Sequence, residues 1–305
     1  MGGSLTVPEA INANGLIVGV AQNSSGLWQA VSWQANSTIP ISLGDGSVFS
    51  QALGVNNNGI VVGSSNGNAA FWQPGSTTPN YLTTSGNGLA YDINSIGQMV
   101  GMDNGNAVLW LPGSTTPITL AGDAGATGIN DNGQIVGNVF SPTRGALLQP
   151  NSAPPFTIQT LTGGVSEANA INNNGQIVGY FGNSATLWQS GSLTPISLGD
   201  GIARSINNNG EIVGTIYGGS RYYAALWESN STIPVTLSSL VTIPNSYLVD
   251  AFGINDSGQI VALSGSGQAY LLTPVSSVPI PASIWLFASA LVGFIGFNRR
   301  KNIRQ

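Results

Sequence analysis

Short apolar runs alternate along this chain with clusters of asparagine and glycine, in the pattern of strands and tight turns. From Ser166 the chain reads "SEANAI", "NNNG", "QIVGYF", "GNS", "ATLWQ", "SGSLT", "PISL". "SEANAI" predicts a strand ending at Ile171, and residues 172–175 predict a turn, because Asn and Gly accept the positive φ that tight hairpins demand. Residues 176–181, 185–189 and 195–198 predict three further strands, the last opening on Pro195 as suits an edge strand. Adjacent Ile177 and Val178 break strict alternation, so both faces of the second strand should be buried. Gly179 behind them points to a close backbone approach between neighbouring sheets.

The unit recurs. Its leading Asn falls at 12, 56, 94, 130, 172, 207 and 255, at spacings of 35 to 48 residues. A Trp in the third strand recurs as Trp33, Trp72, Trp110, Trp188 and Trp227, with Leu148 and Leu272 in the other two copies. Four strands of ~5 residues and four turns of ~4–5 fill such a period. One unit cannot bury two sheet faces alone, so each sheet must be covered by its neighbours. The fold class expected is all-β: a β-propeller-like array of seven ~40-residue four-stranded repeats over residues 1–273. The last copy lacks an obvious fourth strand, and residues 3–8 are expected to supply it and close the ring. The alternative is an open β-solenoid.

Composition narrows the chemistry. Only 6% of the 305 residues are charged, and there is no Cys and no His. Thiolate nucleophiles, Ser-His-Asp triads and Cys/His zinc sites are excluded. Residues 1–298 hold three arginines (Arg144, Arg204, Arg221) against twelve acids, a formal charge of −9, which rules against nucleic acid as a partner. The acids run from Glu9 to Asp256 with no visible convergence. Asp131 and Asp256 share a motif position, and Asp45 and Asp200 sit in "GDG" turns. A calcium cage wants 6–8 oxygens and usually several carboxylates, so turn geometry is the better reading of these loops and no cofactor or metal is expected. The Trp column reads as core between blades in preference to a sugar platform.

The motif A-x-x-I-N-x-x-G-x-[IV]-V-G, followed by A-x-x-W and P-x-x-L, resembles the HAF family of probable extracellular repeats over residues 10–273. That resemblance implies a bacterial exported repeat protein without an assigned activity. The C-terminus, "VPIPASIWLFASALVGFIGFNRRKN", resembles a PEP-CTERM sorting signal of the V-P-L-P-A form. Val278, Pro279, Ile280, Pro281 and Ala282 stand at the short motif, an apolar run reaches Phe297, and Arg299, Arg300 and Lys301 follow. Ile280 departs from the P-E-P form, where Glu stands. The resemblance implies export by a Gram-negative bacterium and an exosortase-type, membrane-embedded processing enzyme as partner, with exopolysaccharide as a further candidate partner.

The physics of the tail is compatible with this. Residues 282–297 form a 16-residue stretch without charge, about 24 Å as a helix against a hydrocarbon core of ~30 Å. A transmembrane-type helix over 282–305 with its basic end inside is expected to anchor the protein transiently in the inner membrane, with residues 274–281 as linker and sorting motif. "MGGSLTVPEA" has neither a basic nor an apolar leader region, so the natural start is expected upstream. The function expected is non-enzymatic, in the cell envelope or outside the cell; the alternative is a polysaccharide-active hydrolase or lyase using carboxylates on a propeller scaffold.

Overall fold

The structure is a computed structural model, and it describes residues 5–275 apart from 45, 150–156 and 162–164. The chain divides into a unit of residues 1–273 and a second of 274–305. The first is a succession of antiparallel meanders. Blade one consists of Thr6–Ile11, Leu16–Gln22, Trp28–Gln34 and Ile41–Ser42, blade two of Ser50–Val55, Val61–Ser65, Asn68–Trp72 and Asn80–Tyr81. Blade three runs through Gly88–Ile93, Met99–Asp103, Asn106–Trp110 and Ile118–Ala121, blade four through Ala124–Ile129, Ile135–Phe140, Thr143–Gln149 and Thr157–Thr160. Blade five (Ser166–Ile171, Ile177–Phe181, Ser184–Trp188) shares the long strand Ile196–Ile206 with blade six, which adds Ile212–Gly218, Arg221–Trp227 and Val235–Thr236. Blade seven has three strands among the described residues: Leu248–Ile254, Ile260–Ser264 and Ala269–Leu272.

The core lies between blades. Trp72, Trp110, Trp188 and Trp227 are fully buried. Trp188 packs with Val136 and Leu161 of blade four and with Ile171 and Ile177 of its own blade. Val178, on the opposite face of the same strand, packs toward Trp227 of blade six. Both faces of the second strand are therefore buried, as the Ile-Val pair implied. Trp33 performs the same task at the seam, where Ile11, Ile17 and Val31 of blade one meet Val261, Phe252 and Leu271 of blade seven.

Three expectations need correction. Residues 5–8 do not complete blade seven: the Leu5 carbonyl accepts the Gln22 N–H, and Thr6–Ile11 pairs with Leu16–Gln22 as blade one's own first strand. The six residues before Asn12 correspond to "SEANAI" before Asn172 and are needed where they are. Second, the glycine after Ile-Val is not pressed by a neighbouring sheet. A Cβ on Gly179 would lie 2.0 Å from the Glu167 carbonyl oxygen, in the adjacent strand of its own blade, and Gly19, Gly63, Gly101, Gly137 and Gly214 have equivalent partners. The cause is a bulge in every first strand, which skips Glu9, Leu53, Tyr91, Thr127, Asn169, Arg204 and Phe252 in the pairing register. Third, the positive φ of the "NNNG" turn belongs to Gly175 (75°) alone; the asparagines there serve another purpose.

Candidate functional site: the two ends of the ring

At one end all seven turns meet. The Asn172 side-chain oxygen accepts the N–H groups of Asn174 and Gln176, which shapes its own turn. Its amide nitrogen donates to the Gln176 side chain at 2.8 Å and to the Asn207 carbonyl of the next blade at 3.0 Å. Every hydrogen-bonding position of the amide is thus used. The same donation runs Asn12 to Asn56, then to Asn94, Asn130 and Asn172, and from Asn207 to Asn255. Asn255 then donates to the Asn12 carbonyl at 3.0 Å, across 243 residues of sequence. The ring of seven is closed, which excludes the open solenoid.

A second tier lies outside the first. The carboxylates of Asp131 and Asp256 accept the backbone N–H of Ser95 and Asn208 from the preceding blade. They also accept the amides of Asn173 and Asn208. Partial burial pushes the Asp131 carboxyl up, but the Ser95 and Asn173 hydrogen bonds outweigh it and hold the group below the usual carboxylate range. The two tiers surround a polar cavity of about 210 Å³. Among the described residues no group of three acids is placed to hold a metal. Asp200 is exposed in the long strand shared by blades five and six.

Turns joining the second and third strands lie at the opposite end, since neighbouring strands run antiparallel. Between the two ends, along the inner strands, the blades differ. The bulged residues lie on the first strands, which neighbour one another around the axis. The Thr127 hydroxyl donates to the Ala168 carbonyl and the Asn169 amide to the Ala203 carbonyl. Arg204 lies over the Phe252 ring and grips Asp250 of blade seven through Nε and Nη2, at 2.8 and 2.6 Å, the one salt bridge among the described residues. Thr215 donates its hydroxyl to the same carboxylate. Glu9, from blade one, feels both charges. Burial pushes its carboxyl up to about 7, with Arg204 pulling it down and Asp250 pushing it further up.

Asp92 takes a position where the other blades carry Ala, Gly or Ser. The residue as a whole is only partly buried, but its carboxyl is packed in by blades three and four and accepts the N–H groups of Ile93 and Ile129. Burial pushes it up to about 6 against those two hydrogen bonds.

Two of the acids therefore do converge, where the sequence shows no sign of it. Glu9, Arg204 and Asp250 are brought together by the ring across more than 240 residues of sequence. One signal could have found two of them: in the seven aligned copies, the residue three before the leading Asn is charged only at Glu9 and Arg204. The sorting motif Val278–Ala282, the expected helix and the basic residues Arg299, Arg300 and Lys301 lie outside the described residues. Among those described, no helix is long and apolar enough to cross a membrane.

The comparisons with known proteins agree with this architecture. Puromycin hydrolase superposes with a TM-score of 0.59 at 13% identity, over 91% of this chain and 55% of its own. Virginiamycin B lyase from Staphylococcus aureus, as a catalytically inactive histidine-to-alanine variant with quinupristin, gives 0.56 at 10% identity over 88% and 96%. The β-propeller domain of the Trilobed protease from Pyrococcus furiosus, described as having an open velcro topology, gives 0.53 at 11% identity over 90% and 100%. The fold is a β-propeller. This chain spans about half the length of puromycin hydrolase, and at these identities the likeness is one of fold alone. No family model and no curated protein matches the chain.

Proposed function

We propose that this is a non-enzymatic, exported repeat protein of the HAF type, working in the cell envelope or outside the cell. In this reading its tail is a PEP-CTERM signal handled by an exosortase-type enzyme, after transient anchoring in the inner membrane. The observation that carries the reading is the three-part tail, in which Val278–Ala282 is followed by an uncharged run to Phe297 and then by Arg299, Arg300 and Lys301. The ring is compatible with an extracellular scaffold: it is closed by uncharged amides, needs no thiol, and spends its regular carboxylates on inter-blade hydrogen bonds. Exopolysaccharide is the partner this setting offers.

Fractionating a host that carries exosortase tests the proposal. Wild type should lose its tail, and Pro279→Ala with Pro281→Ala should leave it uncut; processing of the double variant at the wild-type rate would remove the sorting role.

A second reading has one observation in its favour. Glu9, whose carboxyl burial raises to about 7, and Asp250, ion-paired with Arg204, are two carboxyl groups whose surroundings differ in the way acid–base pairs require. On that reading the protein would cleave polysaccharide with Glu9 as acid, and Glu9→Gln would abolish release of new reducing ends. The fold neighbours include a hydrolase and a lyase, but the lyase is inactivated by losing a histidine, a residue type this chain does not contain.

A further inference from the structure

The end of the ring opposite the asparagines carries a pocket between blades six and seven, of about 350 Å³, floored by Arg204, Asp250 and Thr215 and flanked by Tyr217 and Tyr222. That volume falls in the range of small-molecule sites. We propose that this pocket binds a sugar unit of an uncharged polysaccharide. The inference rests on the reading that the protein works among exported glycans, and it assigns the contact to particular residues.

Three features point to a neutral sugar. The first is the fork between Arg204 and Asp250. It uses Nε and one Nη2 proton, so three of the guanidinium's five N–H donors remain beside Oδ2 of Asp250, which still has a lone pair to offer while Oδ1 is taken by Nε and the Thr215 hydroxyl. Donors and acceptors placed side by side on one rigid pair match the vicinal hydroxyls of a pyranose, which both donate and accept. About a third of the Arg204 side chain is exposed, so these donors can reach a ligand.

The second feature is aromatic. Tyr217 and Tyr222 meet edge to face with centroids 5.2 Å apart, and Tyr222 is 61% exposed. An exposed tyrosine ring beside a polar fork offers the apolar C–H face of a sugar a surface while its hydroxyls turn to the fork. Both tyrosines sit on the hairpin between Ile212–Gly218 and Arg221–Trp227, so rigid strands position them.

The third is charge. Arg204 and Asp250 cancel, and the surrounding domain is acidic, with three arginines against twelve acids in residues 1–298. A phosphorylated, sulfated or uronic-acid polymer would approach against that field. An uncharged chain would not.

Calorimetric titration of the full-length protein with neutral gluco-, manno- and galacto-oligosaccharides, and with a polyuronate, tests the assignment. At least one neutral oligosaccharide should bind and the polyuronate should not. Tyr222→Ala should weaken binding at least tenfold, while Tyr222→Trp retains it. Because Tyr222 is mostly exposed, both variants should keep the wild-type melting temperature. Equal binding by Tyr222→Ala and wild type would overturn the site while leaving glycan association intact. Tighter binding of the polyuronate, or no binding of any neutral sugar, would overturn the site outright, and tail processing would still report separately on export.

Discussion

The asparagine turns and the inner strands that lead into them are built by opposite rules. At the asparagine end, seven turns make nearly the same hydrogen bonds, and each links its blade to the next. Along the inner strands no two blades agree: Glu9, Leu53, Tyr91, Thr127, Asn169, Arg204 and Phe252 occupy one equivalent, bulged position, three residues before the leading Asn. Repetition is required where the ring must close, because one faulty link opens the whole circuit. The bulged positions also reach neighbouring blades, through Thr127, Asn169 and Arg204, but each does so with its own chemistry. A bulge supports this division, since it takes one residue per blade out of the ladder and releases its side chain from the pairing rules.

The packing between blades is common to both regions and sets the largest scale: Trp188→Ala should cost about 3–5 kcal/mol in denaturant unfolding. Asn172→Ala comes next. It strands two backbone N–H groups, the Gln176 side chain and the Asn207 carbonyl, and should cost about 2–4 kcal/mol. A cost near zero would mean that the asparagine end is decorative.

The pH dependence should differ in sign between carboxyl groups that are buried and one held by hydrogen bonds at the surface. Glu9 and Asp92 have raised pKa values, about 7 and about 6. The folded state therefore holds their protons more tightly than the unfolded chain does. Their contribution to stability is fully present below the unfolded values near 4 and is lost as pH rises through 6 and 7, by roughly 2–3 kcal/mol for each group. Glu9→Gln should flatten the urea midpoint between pH 5 and 7. Asp131 is shifted the other way, so its contribution is present above the unfolded value and lost as pH falls through the lower folded one; Asp131→Asn should flatten the profile only below pH 4. The smallest effect belongs to the hairpin of blade six, where Tyr222→Ala should change stability by no more than about 0.5 kcal/mol.

Much of the fold was legible because a repeat states its rule several times. The NxxG turns, the Ile-Val pair and the buried Trp column could each be read from spacing and side-chain type. The bulges could not, because a register shift leaves no mark in composition. For that reason the sequence points Gly179 toward a neighbouring sheet when its real neighbour is Glu167 of its own blade. The inter-blade role of Asn172 was hidden for a related reason: an Asn that shapes a turn and an Asn that also bridges to the next blade look alike in sequence. The Glu9, Arg204 and Asp250 cluster was missed because only closure brings blade one back to blades six and seven.

Closure is thus the claim on which the rest depends, and the absence of cysteine makes it directly measurable. Ala13, Asp131, Asn173 and Asp256 occupy the same motif position in blades one, four, five and seven. Spin labels on cysteines at 131 and 173 report the distance between blades adjacent in sequence, and labels at 13 and 256 report it across the seam. A closed ring predicts the same strong dipolar broadening of the continuous-wave spin-resonance spectrum for both pairs. A 13–256 distance well beyond that of 131–173 would mean that blade seven does not meet blade one, and would contradict the account.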